Sequence, residues 1–254
     1  MWYYKNKPVK GSPANWNEAI GNANGNWIKL MHDDDWFASD DALQYYVDIV
    51  NSIKGIDFVF SGYNDYENNV YKKTNNLKKV TFSKIISNPL YLFKSNYIGN
   101  PSVILIKKNS KFTYDEKLKW VVDFEFYIRC IKEMKIYYCS EILINVGYNS
   151  DQITKSVFRN IKVEIPENIY MLNKFGVEIL KNIIVFDYYW RLFRNLNIRK
   201  LETIYLNLDG NDLDNSIIKM ARYQFLIPLR VLKIGIISKI LMSLAYLRHR
   251  IIFK

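Results

Sequence analysis

Residues 27–36 read WIKLMHDDDW, and this stretch decides the expected fold class. Its first five residues form a short apolar run, which predicts a buried strand. The run ends at His32 and is followed by three consecutive aspartates, Asp33, Asp34 and Asp35. In open α/β sheets, groups that bind ligands gather at the carboxyl ends of the strands. We therefore expect a strand that delivers acidic side chains to a binding cleft.

Strand-like and helix-like patterns alternate on both sides of this stretch. Before it, Pro13 indicates the start of a short helix and Gly25 its terminator. After it, Ser39 is the predicted N-cap of a helix over residues 40–54. Further elements are predicted as strands at 56–61, 102–106 and 136–146 and an amphipathic helix at 121–134. The polar, Asn-rich stretch to about residue 79 receives no predicted element. The alternation predicts an α/β layer fold.

The chain changes character after about residue 158. Helical patterns occur near residues 161–174, 177–195 and 215–247, and no further strand is expected. Pro166 and Pro228 are the predicted breaks between helices. The chain is therefore expected to divide into a region of strands and helices, residues 1–158, and a helical region, residues 159–254.

The formal net charge of +11 favours anionic partners such as nucleotide phosphates, phospholipid head groups or nucleic acid. No recognition helix, zinc site or RNP-like aromatic strand is visible, so nucleic-acid binding is not expected. Cys130 and Cys139 have neither metal-ligand spacing nor a disulfide framework, which favours a reducing compartment. Since no signal peptide or spanning segment is recognised, we expect a cytoplasmic protein, alternatively one bound peripherally to the inner face of the cell membrane.

The three adjacent aspartates repel one another, and a bound cation would relieve that cost. Mg²⁺ and Mn²⁺ are hard ions that take oxygen ligands, commonly one or two carboxylates together with phosphate oxygens. A cation held in this way can stabilise the charge that develops on a diphosphate leaving group. The alternative is a solvated loop whose acidic residues favour the start of the following helix.

The sequence around the aspartates resembles family 2 glycosyltransferases. Residues 11–20, GSPANWNEAI, and residues 25–37, GNWIKLMHDDDWF, are similar to the region around the DxD motif of that family. The resemblance implies that Asp34 and Asp35 bind the metal ion, Mn²⁺ or Mg²⁺. It also implies that the nucleotide-sugar donor is bound by four residues, Asn15, Asp33, Asp34 and Trp36. His32 occupies the place where the first acid of the motif often lies, which leaves the register among the aspartates open.

A second block, residues 112–129, reads FTYDEKLKWVVDFEFYIR and resembles the family's acidic block at the start of a helix beneath the acceptor. The resemblance implies that Asp123 is the general base. It also implies that Glu125, Arg129 and Trp120 lie around the acceptor or support the base. On the residues alone, the alternatives are an N-cap role for Asp123 and a surface i,i+4 pair of Glu125 with Arg129.

A third block, residues 149–154 (NSDQIT), resembles a loop that covers the nucleotide site in the family, with Asn149 in place of a His. An ordinary polar turn is the alternative. The family's first nucleotide-binding strand and helix have no counterpart in this sequence. The resemblance therefore implies an incomplete GT-A (Rossmann-like) mixed sheet flanked by helices over residues 1–158, followed by a helical C-terminal extension.

The activity that the resemblance implies is transfer of a sugar from a nucleotide-sugar donor to a glycan or lipid-linked glycan acceptor. The transfer would be inverting and metal-dependent, in cell-surface polysaccharide synthesis. A different expectation is a non-catalytic, truncated fragment that binds a membrane or a partner protein.

The C-terminal residues 226–254 mix apolar side chains with cations and contain no acidic residue. Because cations interrupt the apolar run, a spanning helix is not expected. Two alternatives remain for this segment: a helix that lies on the surface of an anionic membrane, and a helix packed on its own domain.

Overall fold

The computed structural model describes residues 5–109, 111–149 and 157–252. The chain separates into two compact units. The first unit contains the described residues 5–92 and 96–149, and the second contains residues 93–95 and 157–252. The domain limits drawn from the sequence stay a prediction.

A mixed sheet of six strands, counted over the described residues, forms the centre of the first unit. The strands are β1 (Trp27–Ile28), β2 (Trp36–Phe37), β3 (Phe58–Glu67), β4 (Val70–Asn75), β5 (Ile104–Lys107) and β6 (Ile136–Tyr148). Their order across the sheet is β1-β5-β3-β6-β2, and β4 pairs with the second half of β3. β3 and β6 run parallel, whereas the other pairs are antiparallel. The predicted mixed α/β fold is confirmed.

Helices flank this sheet. They are α1 (Ser12–Asn22), α2 (Ala42–Ser52), α3 (Lys79–Ser87) and α4 (Val122–Glu133), with 3-10 segments at Pro89–Lys94 and Pro101–Val103. The central strand β3 is buried on both faces over its first half, which explains its continuous apolar run. The Phe58 ring on β3 lies 6.0 Å from the Tyr127 ring on α4. On α2, the buried Tyr46 hydroxyl is 2.7 Å from the Ser61 hydroxyl of β3.

A hairpin joins β3 to β4 in the Asn-rich stretch, where no element is predicted from the sequence. Asn68 and Asn69 form its tip, with φ of 50° and 63°. Both values lie in the left-handed region, which asparagine tolerates better than most residues and which two-residue hairpin turns require. The Asn-rich composition was therefore a turn signal inside a paired segment.

The predicted start of the helix after the aspartates is wrong. Ser39 is not its N-cap, because α2 begins at Ala42 and Asp41 occupies the N-cap without a side-chain hydrogen bond. The chain is still tied to β6 before this point, since the Ala38 N–H donates to the Leu143 carbonyl at 2.9 Å. Because the chain is paired with the sheet up to Ala38, the helix begins later in the sequence than predicted.

The elements before the aspartates are shorter than predicted. Helix α1 ends at Asn22 with Ala23 as its C-cap, so Gly25 is not the terminator. The strand expected over residues 27–31 is paired only at Trp27–Ile28. From Lys29 onward the chain leaves the sheet and forms the loop that carries the aspartates.

The second unit is helical, and residues 157–252 contain no strand, as predicted. Its helices are α5 (Ile161–Phe175), α6 (Ile183–Asn195), α7 (Leu201–Tyr205), α8 (Asn215–Phe225), α9 (Leu229–Leu232) and α10 (Gly235–Ile252), with a 3-10 segment at Val177–Lys181. Trp190 on α6 is fully buried in this unit. No helix in the described part of the chain is both long enough and apolar enough to cross a bilayer.

One predicted helix break is confirmed and the other is wrong. Pro228 precedes α9 as its N-cap residue, so the segment 215–247 is interrupted there. Pro166, by contrast, lies inside α5. A proline within a helix costs roughly 3 kcal/mol. Burial of apolar side chains along the same helix, including Ile165 and Ile169, offsets that cost.

Candidate functional site

Asp35 is buried at the base of the acidic loop. Its Oδ1 accepts a hydrogen bond from the Gly147 N–H at 3.0 Å, and its Oδ2 accepts one from Asn100 Nδ2 at 2.7 Å. Burial raises the pKa of this carboxyl, while hydrogen bonds from Ser102, Gly147 and Asn100 act in the opposite direction. Asp35 thus anchors the loop against β6 and the segment before β5.

His32 lies beside Asp35, with Nδ1 at 3.8 Å from Asp35 Oδ2. Its ring stacks on Trp16 of α1 at 5.0 Å between centroids, and its backbone N–H donates to Ser102 Oγ at 2.9 Å. Burial lowers the pKa of His32, which favours the neutral imidazole that ligates metals. The buried Nε2 has no hydrogen-bond partner among the described groups.

His32, Asp34 and Asp35 form a group that could hold a metal ion. Each offers one ligand atom, and these atoms lie within 4.8 Å of one another. The unpartnered Nε2 of His32 fits such a role, because a buried polar atom without a partner is costly. Asp34 and Asp35 were expected at this position from the sequence, whereas His32 was read only as a departure from the motif.

Lys29, which the sequence reading passed over, is held beneath the loop. Its Nζ donates to the backbone carbonyls of Ser102 and Leu30 and lies 5.3 Å from the centroid of the Tyr46 ring. Burial lowers the pKa of Lys29 to about 7, while the charge of Asp35 raises it. At neutral pH this position therefore carries a cation only part of the time.

Asp123 lies in the first turn of α4, not at its N-cap, which is Val121. The carboxylate accepts hydrogen bonds from the Phe124 N–H at 2.9 Å and from Asn96 Nδ2 at 3.0 Å. Burial raises its pKa to about 6, and those two hydrogen bonds limit the rise. Such a carboxyl is ionised at neutral pH yet more basic than an ordinary aspartate.

A five-residue segment, 96–100, connects Asp123 to the acidic loop. The Asn96 amide donates to Asp123 and to the Gly99 carbonyl, and its Oδ1 accepts from the Gly99 N–H at 3.1 Å. At the other end, Asn100 donates to Asp35. Gly99 has a φ of 113°, a conformation that favours glycine. The segment brings the base candidate and the cation group into one network within the first unit.

Tyr63, Tyr148 and Asp65, all missed from the sequence, interact with these carboxylates or with one another. The Tyr148 hydroxyl donates to Asp65 Oδ1 at 3.2 Å. Burial raises the pKa of Tyr63, and the charges of Asp65 and Asp123 raise it further. The pKa of Tyr148 is raised by burial, by the charges of Asp65 and Asp35, and by the hydrogen bond to Asp65. Both hydroxyls therefore remain protonated donors at neutral pH.

Glu125 and Arg129 form an ion pair, but not the surface pair considered from the sequence. Glu125 is fully buried, and its two oxygens accept from Arg129 Nε at 2.6 Å and from its terminal nitrogen at 3.0 Å. Arg129 also donates to the Thr113 carbonyl at 2.7 Å. The pair ties α4 to the preceding loop. Trp120, two residues before the start of α4, is half-buried.

The remaining predicted donor-binding residues lie nearer the surface. Asp33 and Trp36 are exposed, and the Trp36 ring is 5.0 Å from Tyr66. Asn15 is exposed and accepts a hydrogen bond from Asn6 at 2.7 Å. Asn17, two residues further along, instead makes two 2.8 Å hydrogen bonds to the backbone of residue 114.

The loop block predicted at residues 149–154 lies outside the described residues except for Asn149, which is exposed just after β6.

Part of the chain is similar in sequence to a known protein. No family model matches the chain. Over 132 residues, 51% of this chain, the sequence is 31% identical to an uncharacterized glycosyltransferase of Methanocaldococcus jannaschii, and the match covers 44% of that protein. The chain thus spans less than half the length of this relative. The match supports a relationship to glycosyltransferases in general, without naming a donor or an acceptor.

The close approach of Gly147 to the acidic loop gives a first prediction. A Cβ at this position would lie 2.2 Å from the Asp34 carbonyl oxygen, so Gly147→Ala must displace the loop. We expect a loss of roughly 1–3 kcal/mol in the free energy of unfolding and a weaker affinity for Mn²⁺ in calorimetric titration. Gly21→Ala is the control, because its Cβ would meet nothing within 4 Å. Equal Mn²⁺ affinity in the two variants would contradict the packing described.

The two asparagines of segment 96–100 give a second prediction. Asn96→Ala removes a donor to ionised Asp123, so the pKa of Asp123 should rise by about one unit in an NMR titration. Asn100→Ala should leave that pKa in place and weaken Mn²⁺ binding about tenfold, because it frees Asp35. Each variant serves as the control for the other. Identical effects from both would mean that the segment acts only through global stability.

Proposed function

We propose that this chain transfers a sugar from a nucleotide-sugar donor to a hydroxyl of a glycan or lipid-linked glycan, with inversion and with a bound Mn²⁺ or Mg²⁺. The observation that carries the proposal is the hydrogen-bonded network from Asp123 through residues 96–100 to Asp35. A base candidate and a cation group in one network are the two parts that such a transfer needs. The partial similarity to a glycosyltransferase supports the same reaction class.

His32, Asp34 and Asp35 would hold the cation, which when bound would stabilise negative charge on the departing nucleoside diphosphate. An imidazole among the ligands suits Mn²⁺ better than Mg²⁺, which prefers an all-oxygen shell. Asp33 and Trp36, both exposed beside this group, would contact the donor, together with Asn15.

Asp123 would act as the general base. It would accept the proton of the acceptor hydroxyl while the hydroxyl oxygen bonds to the anomeric carbon and the diphosphate leaves from the opposite face. A single displacement of this kind inverts the anomeric centre and needs no nucleophile from the protein. The Glu125–Arg129 pair would hold the first turn of α4 in place, because it fixes α4 to Thr113. Trp120 would border the acceptor.

The metal dependence can be tested with a panel of nucleotide-sugars, following donor hydrolysis with and without Mn²⁺. Asp34→Asn should lower Mn²⁺-dependent turnover by at least about 100-fold, because it removes a charged ligand. Asp40→Asn, an exposed acid six residues further on, should leave turnover unchanged. Turnover that is equal with and without metal would refute the cation role. Mn²⁺ binding without any turnover would favour the non-catalytic module.

Asp123→Asn tests the base. Turnover should fall by a factor of about 10²–10⁴, and the wild-type rate should rise with pH up to about 6 and then level off.

Asp123→Asn should lower turnover but increase the stability of the folded protein at neutral pH. The pKa of Asp123 is raised from 3.8 to about 6 in the folded state, so native stability falls as pH rises through that interval. Asparagine removes this loss, and Asp123→Asn should be more stable at pH 8 by roughly 1–2 kcal/mol, allowing for partial exposure. At pH 4 the two proteins should be nearly equal, which is the internal control. If Asp123→Asn is less stable than wild type at pH 8, or as active as wild type, the proposed role of Asp123 as the general base is excluded.

A further inference from the structure

Helix α10 presents apolar side chains on two separate faces. One face is packed within the second unit: Ser238, Met242, Ala245 and Tyr246 are all less than 10% exposed. Ser238 Oγ accepts from Trp190 Nε1 at 3.1 Å, and the Tyr246 ring lies 5.4 Å from Phe186. This face accounts for the attachment of the helix to its own unit.

The second apolar face is exposed. Five residues, Ile236, Ile237, Ile240, Leu244 and Leu247, are between 38% and 78% exposed. At 100° per residue they fall within an arc of about 100°, on the side opposite the packed face. The stripe extends for about 17 Å along the helix axis at 1.5 Å per residue. Folding of the second unit gives no reason for these five residues to be apolar.

Cations border this stripe on both sides. Lys239 and Arg250 lie along one edge and Arg248 along the other, and all three are exposed. No acidic residue follows Asp214 in the sequence. Long basic side chains beside an apolar stripe can extend toward phosphate groups while the stripe enters the acyl boundary.

We propose that the stripe of α10 binds the surface of an anionic lipid bilayer, with Lys239, Arg248 and Arg250 contacting lipid phosphates. The helix lies in the interface rather than crossing it, because it does not meet the length and apolar character of a span. A second copy of this chain is a poorer occupant, since a two-fold interface would oppose the same cations. The proposal goes beyond sugar transfer and does not depend on it.

The test is co-sedimentation of the full chain with vesicles of equimolar phosphatidylcholine and phosphatidylglycerol, compared with phosphatidylcholine alone. Wild type should bind the anionic vesicles and release them at high salt. The double variant Ile240→Ser, Leu244→Ser should bind more than about tenfold more weakly, with Leu206→Ser as the matched control because Leu206 is 85% exposed elsewhere in the unit. Both substituted positions are exposed, so thermal melting should stay at the wild-type value.

The charge is tested separately. Lys239→Gln with Arg250→Gln should weaken binding more than about tenfold, whereas Lys162→Gln with Lys200→Gln, which changes the net charge equally at exposed positions, should not. Equal binding to neutral and anionic vesicles, or no difference between the two double variants, would overturn the proposal. So would a wild-type dimer in light scattering that ignores vesicles and dissociates in the Ile240→Ser, Leu244→Ser variant.

Discussion

The buried carboxylate of Asp35 is the constraint on which the candidate site depends. A carboxylate removed from water is costly unless fixed donors replace its hydration. The donors come from the segment before β5, through Asn100 and Ser102, and from Gly147 of β6. Satisfying Asp35 therefore closes the acidic loop against two other parts of the first unit. Three consecutive aspartates end in three environments: exposed Asp33, half-buried Asp34 and buried Asp35.

The sequence predicted the elements whose cause is local. Helix α4, expected over 121–134, occupies Val122–Glu133, because its apolar periodicity and its acidic first turn are both read within the helix itself. The different burial of Asp33, Asp34 and Asp35 could not be predicted from the local sequence. The partners of Asp35 lie 65 and 112 residues away, so its burial is decided by the sheet and not by its neighbours in sequence. His32 joins the group for the same reason, through Trp16 and Ser102.

Where a prediction from the local sequence was wrong, contacts with the rest of the fold outweighed the local preference. Pro166 disfavours a helix, but α5 continues past it because Ile165 and Ile169 are buried. Ser39 favours an N-cap, but β6 holds the chain until Ala38. Asp65 was missed because β3 was expected to end at Ser61, and a longer strand would have placed Asp65 beside the end of its parallel neighbour β6.

The choice of asparagine beside both critical carboxylates follows from what the proposed chemistry needs. Burial disfavours the charged forms of Asp35 and Asp123, so the ionisation of each carboxyl lowers the free energy of unfolding. An arginine at position 96 or 100 would offset this cost. At position 100 it would cancel the negative charge of Asp35 that attracts a metal ion. At position 96 it would lower the pKa of Asp123 and make that carboxylate a weaker base. A neutral amide donates a hydrogen bond without cancelling the charge. The first unit does use an arginine on α4, at Arg129, and commits it to Glu125. Asn100 and Asn96 hold the two carboxylates that, in the proposed reaction, would have to remain available to a metal ion and to a proton.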